Sequence, residues 1–202
     1  MRIRQLIPFA ALLLSACITP VTEPERLPAG SWELDASHTS VSWRVRHMGI
    51  SWYVGRFDAV DASLDFDPAD PQSAHLVASV VADSISTGDP DFDADLAHAW
   101  LNAETSPQIR FETRSISVTG NNTGQAVGTL FLNGREVETV MDIEFHGGVL
   151  NPLEGRRALG FSGHFQVDRT QFGIGNLPQS IVGPDVFIEI EAEFLRTGAL
   201  DD

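Results

Sequence analysis

The hydrophobic and polar residues of this chain alternate with a period of two over many short segments. In the segment Ser40–His47, Val41, Trp43 and Val45 share one side with the terminal histidine, and polar residues occupy the other side. Successive strand side chains face opposite sides of a sheet, so this segment predicts a strand with one dry face and an inward histidine. A sheet with one dry face must close on itself or pack against another layer.

Later segments repeat this alternation along most of the chain. Asn133-Gly134 separates two alternating runs, 126–132 and 137–145, which is a strong signal for a β-hairpin. A segment from Trp52 to Asp67 reads as one long strand or two, and Gly55 within it suggests a bend or bulge. We count about eight predicted strands, joined by turns rich in glycine, proline and asparagine.

One segment has helical periodicity instead. Between Asp91 and Leu101, the apolar residues Phe92, Leu96, Ala99 and Trp100 recur at spacings of three and four, which predicts one short helix. The fold class is therefore all-β with one short helix, arranged as an antiparallel barrel or sandwich. An eight-stranded barrel can enclose one elongated ligand or can be filled by its own side chains, and the pattern leaves both open.

The strands supply an inward, mainly apolar set that would line such an interior. The predicted lining residues are Val41, Trp43, Val45, His47, Phe161, Phe165, Val186, Ile188 and Ile190.

The charge balance narrows the range of ligands. The 202 residues include 28 acidic and 13 basic ones, for a net charge of −15. Binding to a nucleic-acid backbone needs clustered cations, so we expect no nucleic-acid partner.

The amino-terminal region predicts export. Arg2 and Arg4 precede a short apolar run, which ends in Leu-Ser-Ala before Cys17, the only cysteine. This resembles a bacterial lipoprotein signal, with residues 1–16 removed and Cys17 lipidated; an ordinary signal peptide with an incidental cysteine is the alternative. Ile18 after the cysteine indicates, by that same resemblance, the periplasmic side of the outer membrane rather than the inner membrane.

On this interpretation, the chain after the signal peptide consists of a tether, one folded domain and a short tail. Residues 17–30 form a proline-rich extended tether, residues 31–196 form the barrel domain, and residues 197–202 form an acidic tail. The lipid anchor would hold the protein at a membrane of the cell envelope. The oligomeric state stays open, with a dimer among the options.

Catalytic chemistry has little support in the sequence. There is no Gly-x-Ser-x-Gly motif, and Asp89, Asp91, Asp93 and Asp95 lack the glycine and glutamate that a calcium loop needs. Four histidines could bind a metal only if folding brought them together, so no metal site is predicted. These are His38, His47, His146 and His164. We expect no enzymatic activity and no catalytic cofactor.

Eight segments, in order between about residues 31 and 195, together resemble the YceI-like family of periplasmic polyisoprenoid-binding proteins. They are 35–41 (DASHTSV), 45–49 (VRHMG), 54–57 (VGRF), 84–88 (SISTG), 107–111 (PQIRF), 128–134 (GTLFLNG), 168–174 (DRTQFGI) and 182–186 (VGPDV). The resemblance implies a lipocalin-like barrel whose interior holds an isoprenoid lipid, such as a quinone or polyprenyl chain. It also implies that the protein carries or sequesters this lipid. The alternative is a filled barrel that acts as an envelope stress or protein-interaction module.

Two residues are candidates for contact with a ligand head group. His47 could hydrogen-bond a quinone carbonyl, although a histidine satisfied by the backbone is the alternative. Arg169, beside Asp168, could contact the ligand or brace its own loop. The chain also departs from the family pattern, because Phe92 and Asp95 stand where the family usually has arginine and histidine, and Ser106 replaces an aromatic residue.

Overall fold

The computed structural model describes residues 19–175 and 177–198. The predicted signal peptide, the predicted lipidation site Cys17 and the end of the predicted acidic tail lie outside these ranges. Among the described helices, none has the length and hydropathy that crossing a membrane requires.

Over the described residues, the chain forms eleven strands and one short helix. The strands are β1 Gly30–Leu34, β2 Ser40–His47, β3 Ser51–Phe57, β4 Val60–Phe66, β5 His75–Val81, β6 Ile85–Ser86, β7 Gln108–Val118, β8 Thr123–Leu132, β9 Arg135–Asn151, β10 Arg156–Asp168 and β11 Val182–Arg196. The helix α1 spans Pro90–Asp95 and continues as a π-helical turn over Leu96–Trp100.

The strands form a closed antiparallel barrel. Strand β11 pairs with β2 along its first part and with β1 at its end, where Trp32 lies opposite Arg196. Three positions in the ring are each occupied by two consecutive strands with a short break between them, and we call such a position one strand course. These are β1 with β2, β3 with β4, and β5 with β6. Within the described residues the ring therefore contains eight strand courses, and the predicted all-β, eight-stranded barrel with one helix is confirmed.

Gly55 has a different role from the predicted bend. It lies inside β3, opposite Trp43 of β2, and a Cβ atom there would overlap the indole ring of Trp43. The break between β3 and β4 comes later, at Asp58 and Ala59. Glycine is required in β3 because the tryptophan side chain lies directly over its backbone.

One end of the barrel carries a cluster of buried aromatic and aliphatic side chains. Trp32 and Leu159 are each 1% exposed, and they belong to a cluster with several phenylalanines. The ring centroids of Phe145 and Phe161 lie 5.1 Å apart, and those of Phe161 and Phe194 lie 6.0 Å apart. We call this the aromatic end.

The opposite end is covered by the helix and a long loop. Asp89 caps α1 by accepting a hydrogen bond from the Phe92 backbone N–H, and the following π-helical turn buries Leu96. Asn133, in the β8–β9 hairpin, accepts a hydrogen bond from Asn102 at 2.6 Å and donates one to the Phe172 carbonyl at 2.8 Å. We call this the rim end, since the β2–β3 hairpin also lies here.

Part of the segment predicted as an extended tether contacts the barrel wall. Val21 and Gly148 of β9 exchange two backbone hydrogen bonds of 2.9 Å each, toward the aromatic end. Leu27 is 9% exposed and packs in the aromatic-end cluster. The part of this segment from Val21 onward is therefore held by hydrogen bonding and burial, which the proline spacing alone does not reveal.

Candidate functional site

The barrel encloses an apolar cavity of about 600 Å³. Its walls are formed almost entirely by hydrocarbon and aromatic side chains from the strands and the helix. Protein pockets that hold small molecules typically measure about 300–1,000 Å³. The cavity is therefore large enough for an apolar ligand.

The structure places all nine predicted lining residues on the wall of this cavity. Six of them face one another across the registered pair β2–β11, which sets Val45 opposite Val186, Trp43 opposite Ile188, and Val41 opposite Ile190. His47 lies at the rim end, and Phe161 and Phe165 come from β10. Their contact with a ligand stays a prediction.

The inner face of β11 shows that the cavity is open volume. Val186, Ile188 and Ile190 are only partly buried, although all three point into the barrel. A filled core would bury such side chains completely, because protein interiors are close-packed. The filled-core alternative needs side chains in this volume, and the structure leaves it empty of protein atoms.

Several lining residues were missed by the sequence analysis. Tyr53 is the least expected, since its segment begins with consecutive aromatic residues and has no clear alternation. Its ring centroid lies 6.2 Å from that of Trp43 and 5.6 Å from that of Phe92. Others could have been found from the period-two pattern of β7 and β9. They include Ile109, Phe111, Met141 and Ile143.

His47 combines a cavity position with free hydrogen-bonding capacity. It is the last residue of β2, it is partly exposed, and it pairs with Ser51 and Val182. Its side chain makes no hydrogen bond to the part of the chain that the structure describes, so the backbone-satisfied alternative has no support there. An imidazole in this state can donate to or accept from a ligand.

Arg169 is a loop brace. Its side chain is 3% exposed, and its five N–H donors point at backbone carbonyls of the loop that follows β10 and of the start of β11. The acceptors, with distances, are Gly183 (3.0 Å), Ile174 (2.7 Å), Gly175 (3.3 Å), Leu177 (3.2 Å) and Val182 (2.7 Å). Burial lowers the pKa of the guanidinium, against the opposing effect of Asp168. This geometry favours the bracing role over contact with a head group.

The departures from the family pattern change the character of the rim end. Phe92, where the family usually has arginine, lines the cavity and packs edge-on against Tyr53. Asp95, where the family usually has histidine, is exposed on the outer side of the helix. The cavity wall here is consequently apolar where the family pattern would place a cation.

The structure also brings together three potential metal ligands outside the barrel. Ligand atoms of Asp35, His38 and Glu193 all lie within 4.8 Å of one another, a grouping that the sequence analysis missed. His38 Nδ1 lies 2.8 Å from Asp35 Oδ2 and 3.3 Å from Ser37 Oγ. Because Asp35 and Ser37 both contact the same nitrogen of His38, these three residues cannot relay a proton as a Ser-His-Asp triad does.

Comparisons with known proteins agree with this architecture. The model of the YceI-like domain matches residues 32–194. A UPF0312 protein from Azotobacter vinelandii is 30% identical over 163 residues, which cover 78% of this chain and 82% of that protein.

Two solved structures share the fold. BcnA from Burkholderia cenocepacia superposes with a TM-score of 0.72 at 22% identity, covering 79% of this chain and 98% of that one. A polyisoprenoid binding domain from Saccharophagus degradans, implicated in plant cell wall breakdown, superposes with a TM-score of 0.59 at 11% identity. That comparison covers 84% of this chain and 99% of the other.

Proposed function

This chain belongs to the YceI-like domain family, and from that premise we propose that its barrel binds one elongated isoprenoid lipid. The observation that carries the proposal is the apolar cavity of about 600 Å³ inside the closed barrel. The similarly folded domain from Saccharophagus degradans is described as polyisoprenoid binding, which adds support for this ligand class.

The energetics of such a complex favour binding without any ion pair. Burying a methylene group contributes about 0.8 kcal/mol, so a few isoprene units supply ample affinity. A prenyl chain also matches the wall chemically, since the wall consists of Val, Ile, Leu and aromatic side chains. No catalytic step is part of this proposal.

The two ends of the barrel suggest the orientation of the ligand. The aromatic end lines the cavity with phenylalanine side chains, so we place the apolar tail of the chain toward it. The rim end carries His47 and Tyr53, whose polar atoms can meet a carbonyl or hydroxyl head group. A quinone has both an apolar prenyl tail and a head group with carbonyl oxygens.

The cellular setting is also part of the proposal. The charged start, short apolar run and Leu-Ser-Ala-Cys ending favour a lipoprotein anchored through Cys17 in the bacterial envelope. A protein in that position could carry or sequester a membrane-derived isoprenoid.

Narrowing the cavity should abolish ligand retention. In Ile188→Trp, the larger ring would occupy the cavity, whereas Glu189→Trp places the same ring on the outer face of the same strand. We expect native mass spectrometry and organic extraction to find a prenyl lipid with the wild type and with Glu189→Trp, but not with Ile188→Trp.

The source of the protein matters for this comparison. All three proteins should be purified from a bacterial membrane fraction that contains isoprenoids. Equal lipid content in the two tryptophan variants, or repeated absence of any prenyl lipid from the wild type, would refute the proposed function.

A further inference from the structure

An exposed apolar patch surrounds the β2–β3 hairpin at the rim end. Ile50 is 79% exposed, Val54 57% and Met48 52%. Eleven large hydrophobic side chains are exposed over the described residues, and six of them belong to this patch. We call these six the rim patch: Met48, Ile50, Trp52, Val54, Leu177 and Ile181.

Two cations flank this apolar surface. The Arg46 guanidinium carbon lies 4.0 Å from the Trp52 ring centroid, and that of Arg44 lies 5.2 Å from the same ring. Arg44 also lies 5.7 Å from the Phe187 ring. The aromatic rings therefore hold both guanidinium groups at the edge of the rim patch.

Neither arginine has a carboxylate within ion-pair distance among the described residues. Neither of them forms an ion pair within residues 19–175 and 177–198, although the protein carries a net charge of −15. Five other arginines do pair with Asp or Glu there: Arg26, Arg56, Arg110, Arg114 and Arg156. The rim patch thus carries two guanidinium groups that stand outside the ion pairs of the described residues, on a protein that is acidic as a whole.

The rim patch is continuous with the cavity. Leu177 is 43% exposed and also lines the cavity, as do Arg46, His47 and Val182 beside it. The Met48 backbone N–H donates to the Ile181 carbonyl, which joins the hairpin to the loop at this point. An occupant of the rim patch would therefore lie next to residues of the cavity wall.

We propose that the rim patch docks the barrel onto a bilayer that contains anionic phospholipids. Its aliphatic tip can enter the acyl-chain boundary, tryptophan favours the interface, and the two arginines can reach lipid phosphates. Docking here sets the part of the cavity wall formed by Arg46, His47 and Leu177 against the membrane. The inference goes beyond the proposed function and holds whatever the cavity ligand is.

A probe at the hairpin tip can test this docking directly. Because Cys17 is the only cysteine, the full chain with Cys17→Ser and Ile50→Cys accepts one nitrobenzoxadiazole label at the rim patch. The matched control is Val140→Cys in the same background, a 47% exposed valine on the outer face of β9. Vesicles of phosphatidylcholine with phosphatidylglycerol, carrying brominated acyl chains, then report insertion by quenching.

We expect quenching of the label at position 50 and little at position 140. Replacing Arg44→Gln and Arg46→Gln in the position-50 protein should weaken vesicle binding about fivefold per arginine, whereas the two Arg→Lys changes should retain most of it. Circular dichroism of each variant checks that the barrel is folded.

Three results would overturn the inference. The first is no more quenching at position 50 than at position 140. The second is unchanged affinity in the Arg→Gln variants or in vesicles without phosphatidylglycerol. The third is a blue shift at position 50 that needs no vesicles and grows with protein concentration, which would show that a second copy of the chain covers the rim patch.

Discussion

Asp35, Ser37 and His38 form a hydrogen-bonded turn between β1 and β2 that couples two titrating groups. The hydrogen bond to Asp35 raises the pKa of His38 above its ordinary value of 6.5. Hydrogen bonds from the Ser37 hydroxyl and from His38 lower the pKa of Asp35 below 3.8. Both ionised forms are therefore favoured in the folded protein.

The pH dependence of stability follows from these directions. The His38 contribution is fully present below pH 6.5 and is lost as pH rises through its raised pKa. The Asp35 contribution is present above pH 3.8 and is lost as pH falls through its lowered pKa. Between pH 3.8 and pH 6.5 we expect the wild type to have a higher urea midpoint of unfolding than His38→Gln. The difference between the two midpoints should shrink below and above this range.

The effect should be small, because the His38 side chain is 53% exposed. The control is His38→Gln in an Asp35→Asn background, where the pH-dependent difference should shrink to the smaller contribution of Glu193 and Glu154. A difference that grows above pH 7, or one of undiminished size without Asp35, would contradict this assignment.

Single residues were predicted well where their role is local. The alternation of β2 placed Trp43 and His47 on the inner face, and the structure has both on the cavity wall. Gly55 was misread as a bend, because its partner, the Trp43 ring, belongs to another strand. The cluster of Asp35, His38 and Glu193 was also invisible, since it forms only when β11 packs beside the turn.

At the scale of elements, one buried arginine organises the loop after β10. The guanidinium of Arg169 donates to the carbonyls of Ile174, Gly175 and Leu177 in the loop and of Val182 and Gly183 at the start of β11. Buried carbonyls without partners are costly, so this loop depends on the brace for its shape. The loop in turn supplies Leu177 and Ile181 to the rim patch.

Removing the brace should therefore loosen the rim end. We expect Arg169→Met to lower the free energy of unfolding by about 3 kcal/mol or more, because several buried carbonyls lose their donor. Hydrogen–deuterium exchange should rise in the loop between β10 and β11 before it rises elsewhere. Urea denaturation supplies the free energy.

Arg114→Met is the matched control, since Arg114 makes an exposed ion pair with Glu138 and should cost less than about 1 kcal/mol. Equal destabilisation by both substitutions, or unchanged exchange in the loop, would show that Arg169 does not brace it.

The element pattern was predictable, but its interruptions were not. Period-two alternation gave the strands and helical spacing gave the helix, because both signals lie within a short window. The break at Asp58 and Ala59 is fixed by Ser84 of a neighbouring course, whose backbone and side-chain oxygens accept their two N–H groups. Such a contact joins residues about 25 positions apart and leaves no local signal.

At the scale of the whole molecule, the decisive property is the empty volume inside the ring. Val, Ile and Phe at inward positions suit a filled core and an open cavity equally well. Which one forms depends on how eight strand courses are staggered, and that is set by register over the entire barrel. The sequence could therefore predict the wall of the cavity but not its volume.

Ligand removal should reveal how much the empty volume matters. A ligand held at 100 times its dissociation constant stabilises the folded state by about 2.7 kcal/mol. We expect the delipidated wild type to melt at a lower temperature than the protein as purified, and re-addition of a long-chain quinone to reverse the change. Differential scanning calorimetry measures both steps.

Ile188→Trp serves as the comparison, because its added ring takes the place of the ligand. Its melting temperature should not respond to delipidation or to added quinone. A response equal to that of the wild type would mean that the stabilising lipid lies outside the barrel.

The pairing of Val21 with Gly148 limits how far the barrel can lie from a membrane that holds Cys17. Only four peptide steps separate Cys17 from Val21, a span of about 14 Å at full extension. A lipidated Cys17 would hold the barrel close to its own leaflet by the aromatic end, with the hairpin of Ile50 directed away from that leaflet. In that arrangement the anchored leaflet and the rim patch would lie on opposite sides of the barrel, so the rim patch could meet only a second membrane.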